Sequence, residues 1–170
     1  TTIADFAREA EDLGYESLWV TDHIFVPADR NERGHIFYEA LTTLAYVSSI
    51  TERCMLGTTV LALPPRSSIL VAKQVATVDA LSGGRMVLGV GTGWIEEELA
   101  YLGAPWSERG RMLDEGIQVL KNLWSPDSPS SFQGKYASYE NISFFPKPAQ
   151  LGGPKVLVGG MTEPSLKRAA

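Results

Sequence analysis

Apolar residues return at helical spacing at the start of the chain, where Ile3, Phe6, Ala7, Ala10 and Leu13 fall on one face and predict an amphipathic helix. Thr2 and Asp5 have the spacing of a capping box, and Gly14 supplies a left-handed stop. Ser17-Leu18-Trp19-Val20 then forms a short apolar run without polar alternation, which predicts a strand covered on both faces. A polar, charge-containing stretch runs from Thr21-Asp22-His23 through Gly34. Beyond it Leu41, Leu44, Ala45 and Ser48 mark one side of a second helix.

The cycle repeats. Cys54 to Leu61 reads as a strand, Leu63-Pro64-Pro65-Arg66 as a loop, and Ile69 to Leu81 as a helix with Ile69, Ala72, Ala76 and Leu81 inward. Ser82-Gly83-Gly84 ends that helix. Met86 to Gly91 is the next buried strand, followed by Thr92-Gly93-Trp94 and a polar loop. A further helix spans Arg109 to Trp124 with Met112, Leu113, Ile117, Leu120 and Leu123 inward. Residues 125–150, rich in Ser, Pro and aromatics, read as an excursion from the repeating plan. Lys155-Val156-Leu157-Val158 is a last strand, closed by Gly159-Gly160 and a helix start near Pro164.

Strands alternating with helices predict an α/β protein with a parallel sheet and right-handed crossovers. Periodicity alone leaves a doubly wound sheet and a β/α barrel open. In either, the site lies just past the strand C-termini: Asp22-His23, Thr59-Val60, Thr92-Gly93-Trp94 and Gly159-Gly160. The 170 residues are 44% hydrophobic and 21% charged, enough for a core, yet a closed eight-stranded barrel usually takes ~250.

Fifteen Lys plus Arg against twenty Asp plus Glu leave a net charge of −5, so nothing attracts nucleic acid or an anionic membrane in general. Cys54 is the single cysteine, and His23 and His35 are the two histidines. No internal disulfide and no metal centre are expected, and a reducing, cytoplasmic setting fits. No apolar stretch reaches the ~18 residues of a membrane span, and no signal segment opens the chain.

Among the strand ends, Asp22-His23 is the best acid–base pair, because imidazole titrates near neutral pH and a neighbouring carboxylate orients it or holds its proton. Against that stands a structural Asp cap beside a satisfied core histidine. Gly89-Val90-Gly91-Thr92-Gly93-Trp94 lets backbone approach a ligand, or else only relieves crowding at a barrel strand. It is not a dinucleotide fingerprint, since Trp94 stands where the third glycine belongs. It resembles the G-x-G-x-G of methyltransferases, but Leu88 replaces their acidic residue. Of the four tryptophans, Trp124 reads as core and Trp94 as a site residue. Glu96, Glu97 and Glu98 read as a solvated helix start, and Arg66 and Arg85 as surface salt-bridge partners.

Several segments together resemble the luciferase-like monooxygenase family, and within it the branch that uses the deazaflavin coenzyme F420. They are Leu13-Gly14-Tyr15-Glu16-Ser17-Leu18-Trp19-Val20-Thr21-Asp22-His23, Leu56-Gly57-Thr58-Thr59-Val60-Leu61, Ala72-Lys73-Gln74-Val75-Ala76-Thr77-Val78-Asp79 and Leu81-Ser82-Gly83-Gly84-Arg85. Leu88 to Trp94, Arg111-Met112-Leu113-Asp114-Glu115 and Pro154 to Gly160 continue the set in the family's order. The resemblance extends over nearly the whole chain outside residues 24–37 and 125–150.

The resemblance implies a (β/α)8 TIM barrel of which residues 1–170 are one partial domain, about strands 2 to 5, so that the chain is expected to be a fragment. It implies an oxidoreductase passing a hydride between F420 and a small organic substrate, with an FMN-dependent monooxygenase as alternative and a catalytically silent cofactor-binding protein as another. A homodimer is expected. His23 would sit beside the deazaflavin and act in proton transfer, and Asp22 would contact the ring system. Thr59-Val60 would carry a cis peptide bulging under the ring. Thr92, Gly93 and Trp94 would line the cofactor, and Gly159 and Gly160 would offer amides near its ribityl or phosphate region. The family's sugar-phosphate dehydrogenases carry a catalytic glutamate where Trp94 stands, which disfavours that substrate class.

Overall fold

The computed structural model describes residues 2–30 and 36–170; the end of the polar stretch predicted after His23 lies outside the described residues. Asp5 N–H donates to Thr2 Oγ1 while the Asp5 carboxylate accepts from Thr2 N–H, so the first helix opens on the expected capping box. The chain then runs α1 (Ile3–Asp12), β1 (Ser17–Val20), α2 (Ala40–Ser48), β2 (Met55–Thr58), β3 (Leu61–Ala62), α3 (Ser68–Leu81) and β4 (Met86–Gly91). It continues through α4 (Glu96–Tyr101), α5 (Arg109–Trp124), β5 (Ser130–Gln133), β6 (Ser138–Ile142), β7 (Lys155–Val158) and α6 (Glu163–Ala169).

β1, β2, β4 and β7 lie side by side, all parallel, with β4 central. The run from Cys54 to Leu61 is not one strand. It breaks at Thr59-Val60, so that β2 pairs the first half of β4 (Leu56 with Met86) and β3 the second (Leu61 with Val90). Close approach explains the break's neighbours: a Cβ on Gly91 would stand 2.7 Å from Val60 Cγ2, and one on Gly159 2.8 Å from Val60 Cγ1. For Gly91 the crowding reading of the glycine run is correct.

The core lies between sheet and helices. Leu56, Leu61, Met86, Leu88 and Val90 meet Val71, Ala72, Val75 and Ala76 of α3 and Leu113, Val119, Leu120, Leu123 and Trp124 of α5, each large side chain contributing about 1.5–3 kcal/mol by burial. Trp124 is core as expected, its Nε1–H donating to Ala72 O. Several burial expectations fail, the apolar face of α1 among them, with Phe6 and Leu13 exposed. β1 is only half-buried, because β2 is its one strand neighbour among the described residues. Leu81 is exposed, because Asp79 and Ser82 take the buried positions of the last turn of α3. The 125–150 excursion is largely an antiparallel hairpin, β5 with β6, whose Phe132, Tyr139 and Ile142 pack against the core.

The strand starts are stitched by polar side chains. The buried Glu11 carboxylate accepts the N–H groups of Glu52, Arg53 and Cys54. Arg85 is no surface ion-pair partner: its guanidinium donates to the carbonyls of Ser48, Thr51, Cys54 and Ser82, tying the ends of two helices to the entries of β2 and β4. Asp79, fully buried, accepts from Met86 N–H and from the backbone and side-chain amides of Gln150.

Candidate active site

Because the strands are parallel, their C-terminal ends emerge together and enclose a cavity of about 430 Å³. Asp22, His23, Thr59, Val60, Thr92, Gly93, Trp94, Gly159 and Gly160 all line it, so one cavity gathers every residue singled out at the strand ends. Thr21, Ala62, Gly91 and Glu98 complete the wall. The Thr59–Val60 peptide bond is cis.

Asp22 and His23 are neighbours in sequence but do not pair. The Asp22 carboxylate turns away, its Oδ2 accepting Ala62 N–H at 3.0 Å and its Oδ1 accepting from Arg66 at 2.8 Å. Burial pushes that carboxyl above its ordinary value, while Arg66 and the Ala62 amide pull it back. Arg66 also reaches Ala62 O, so this largely buried ion pair fixes β3 beneath the cavity and is no surface bridge.

His23 takes another carboxylate. Its Nδ1 lies 3.2 Å from Glu98 Oε2, and Glu98 Oε1 accepts Ile24 N–H at 2.6 Å. Glu98 is only 3% exposed, so the acidic triplet is not uniformly a solvated helix start: the first turn of α4 points one of its glutamates inward. Three consecutive glutamates look alike in sequence, and only the register of this short helix, with Leu99 buried beside Glu98, distinguishes the third. Arg30 pairs with Glu97, and Phe25 packs near Tyr101, so the first residues of the loop after β1 are fastened to α4 at Ile24, Phe25 and Arg30.

The imidazole ring is held edge-on by two aromatics, with centroid distances of 4.8 Å to Phe37 and 5.7 Å to Trp94. Trp94 itself stands exposed at the rim, after Gly93 in the left-handed region (φ 78°). The two closing glycines differ. Gly159 N–H is already spent on Val90 O, extending the register of β7, so it offers space and not a donor; Gly160 follows with φ 136°. Among the described residues no group of three His, Cys, Asp or Glu side chains stands ready for a metal ion, and no helix is long and apolar enough to cross a membrane.

A parallel β/α sheet with its cavity, imidazole and buried carboxylate at the strand C-terminal ends is the architecture of a β/α barrel, seen over about half its circumference. The chain belongs to the luciferase-like monooxygenase family, whose sequence model matches residues 1–170. It is 35% identical over 162 residues to an F420-dependent glucose-6-phosphate dehydrogenase of Amycolatopsis mediterranei (strain U-32), covering 93% of this chain and 47% of that protein. Among solved structures, an F420-dependent secondary alcohol dehydrogenase in complex with an F420-acetone adduct superposes with TM-score 0.84 at 25% identity, over 98% of this chain and 50% of that one. The oxygenating constituent of 3,6-diketocamphane monooxygenase from Pseudomonas putida, in complex with FMN, shares the fold with TM-score 0.75 at 18% identity, over 92% and 44%. The chain thus spans about half the length of the curated relatives it matches.

Proposed function

We propose that these residues form the cofactor-facing part of an oxidoreductase that passes a hydride between coenzyme F420 and a small organic substrate, an alcohol in one direction and its carbonyl compound in the other. The observation that carries the reading is the setting of His23: a largely buried imidazole on the wall of a cavity that also presents Val60, Trp94 and the glycine turns.

Those walls suit a flat ring system. The volume lies in the usual range for small-molecule sites, about 300–1,000 Å³. Val60 and Trp94 are apolar, and Gly91, Gly93 and Gly160 bring backbone to the wall with no side chain of their own. When bound, the deazaflavin supplies the carbon that accepts or donates the hydride. His23 handles the other half of the balance: as the substrate C–H leaves as hydride with its two electrons, the hydroxyl proton passes to the imidazole and the carbonyl forms. The reverse step returns that proton to the carbonyl oxygen. Asp22 and Arg66 keep the floor of the cavity rigid while this happens. A sugar phosphate is the less favoured substrate, because Trp94 presents an indole where those enzymes use a carboxylate.

Membership of a family described by its monooxygenases favours FMN as the second reading. Fluorescence titration of the purified protein with F420 and with FMN separates the two. Saturable quenching by F420, with FMN binding at least about tenfold weaker, a difference of ~1.4 kcal/mol, supports the proposal. The reverse order overturns it in favour of the monooxygenase, and tight binding with no turnover on a panel of alcohols and ketones favours a silent binder.

A further inference from the structure

We infer that Glu98 is a positioning residue that holds His23 in its Nδ1-protonated tautomer and so dedicates Nε2 to the substrate. The inference rests on the proton-handling reading of His23 and adds which nitrogen does the work and what enforces it.

The geometry begins with a donor that has no choice. Ile24 N–H is a peptide amide, so Glu98 Oε1, 2.6 Å away, must accept from it. That contact orients the whole carboxylate and leaves Oε2 facing His23 Nδ1 at 3.2 Å. Among the described residues no lysine or arginine pairs with Glu98, whose side chain is 4% exposed. The imidazole is therefore the side chain that satisfies the second oxygen of this buried carboxylate, and the neutral ring does so by carrying its proton on Nδ1. Edge-on contacts with Phe37 and Trp94 hinder the ring from turning over. Nε2 is then the unprotonated nitrogen, ready to take a hydroxyl proton. The imidazolium so formed is stabilised by the same carboxylate, the logic by which a buried acid orients a catalytic histidine.

Glu98→Gln tests this. Glutamine keeps the size but offers one acceptor and one donor. With its oxygen on Ile24 N–H, its NH2 faces Nδ1, which must then accept, and the ring proton moves to Nε2. In long-range proton–nitrogen spectra of the labelled protein, with His23 assigned by the loss of its signals in His23→Gln, the wild type is expected to show a pyrrole-type Nδ1 and a pyridine-type Nε2, and Glu98→Gln the opposite pattern.

Turnover in Glu98→Gln should fall by about 10–10²-fold with cofactor affinity within about twofold. The double variant with His23→Ala should be no slower than His23→Ala alone, because Glu98 acts only through the imidazole. An unchanged tautomer in Glu98→Gln, or additive losses in the double variant, would overturn the inference. A merely structural clamp would lower the melting temperature of Glu98→Gln and leave the nitrogen pattern as it was. The spectra need no cofactor, so failure of F420 and FMN to bind would defeat the proposed function while the nitrogen assignment still decides the role of Glu98.

Discussion

Glu11 and His23 show how largely buried polar side chains serve different ends. Glu11 faces three backbone amides and no substrate. Burial alone would raise its pKa, but the N–H groups of Cys54, Glu52 and Arg53 outweigh that and hold it at about 2. A carboxyl depressed in the folded state contributes stability above its unfolded value of 4.5 and loses it as pH falls toward about 2. Glu11→Gln, with one acceptor left for three donors, is expected to cost about 1–2 kcal/mol near neutrality. Urea denaturation should show the gap closing between about pH 4.5 and 2, because only the wild type titrates there. His23 lies at the chemical extreme. His23→Ala should lower turnover at least ~10²-fold, the low end for a lost acid–base group, with F420 affinity nearly intact. Unchanged turnover at saturating cofactor would remove it from the mechanism.

The break between β2 and β3 is the element on which the site is built. Val60 fills space that Gly91 and Gly159 leave, so Gly91→Ala should destabilise by about 1–3 kcal/mol, the cost of overpacking a close contact. Val60→Ala in the same chain should recover most of it, read from urea midpoints. Local propensity did not show this break, since Thr58, Thr59 and Val60 are all β-branched and favour a continuous strand; only the family resemblance placed a bulge at Thr59-Val60, where Val60 meets Gly91 of β4 and Gly159 after β7. By contrast β1, β4, β7 and α5 stand at the predicted boundaries, because each is a closed apolar run or a strong helical stripe between Gly, Ser or Pro. The cavity's membership was legible for the same reason, since parallel strands bring their ends together. The partner of His23 was not: adjacency suggested Asp22, and the real partner lies 75 residues away.

Across the whole molecule, β1 and β7 each have one strand neighbour among the described residues. An apolar groove of about 440 Å³ runs beside β1, lined by Ile3, Phe6, Trp19, Ile36 and Tyr38 among others. Phe6 is 63% exposed there. In a closed β/α barrel such edges are paired by further strands and such apolar surface is covered by further helices, so both features belong to the partial barrel and carry no oligomeric state. Phe6→Gln keeps helix propensity and should reduce the binding of a hydrophobic dye to this groove. Unaltered dye binding would place the accessible apolar surface elsewhere.

The stitches made by Glu11, Arg85 and Asp79 all lie at the strand entries, whereas His23, Trp94 and the glycine turns lie at the exits. Inheritance can therefore act on the two ends separately. A change of rim residue leaves these entry fastenings untouched, so this architecture has room to take new substrates without first having to be rebuilt.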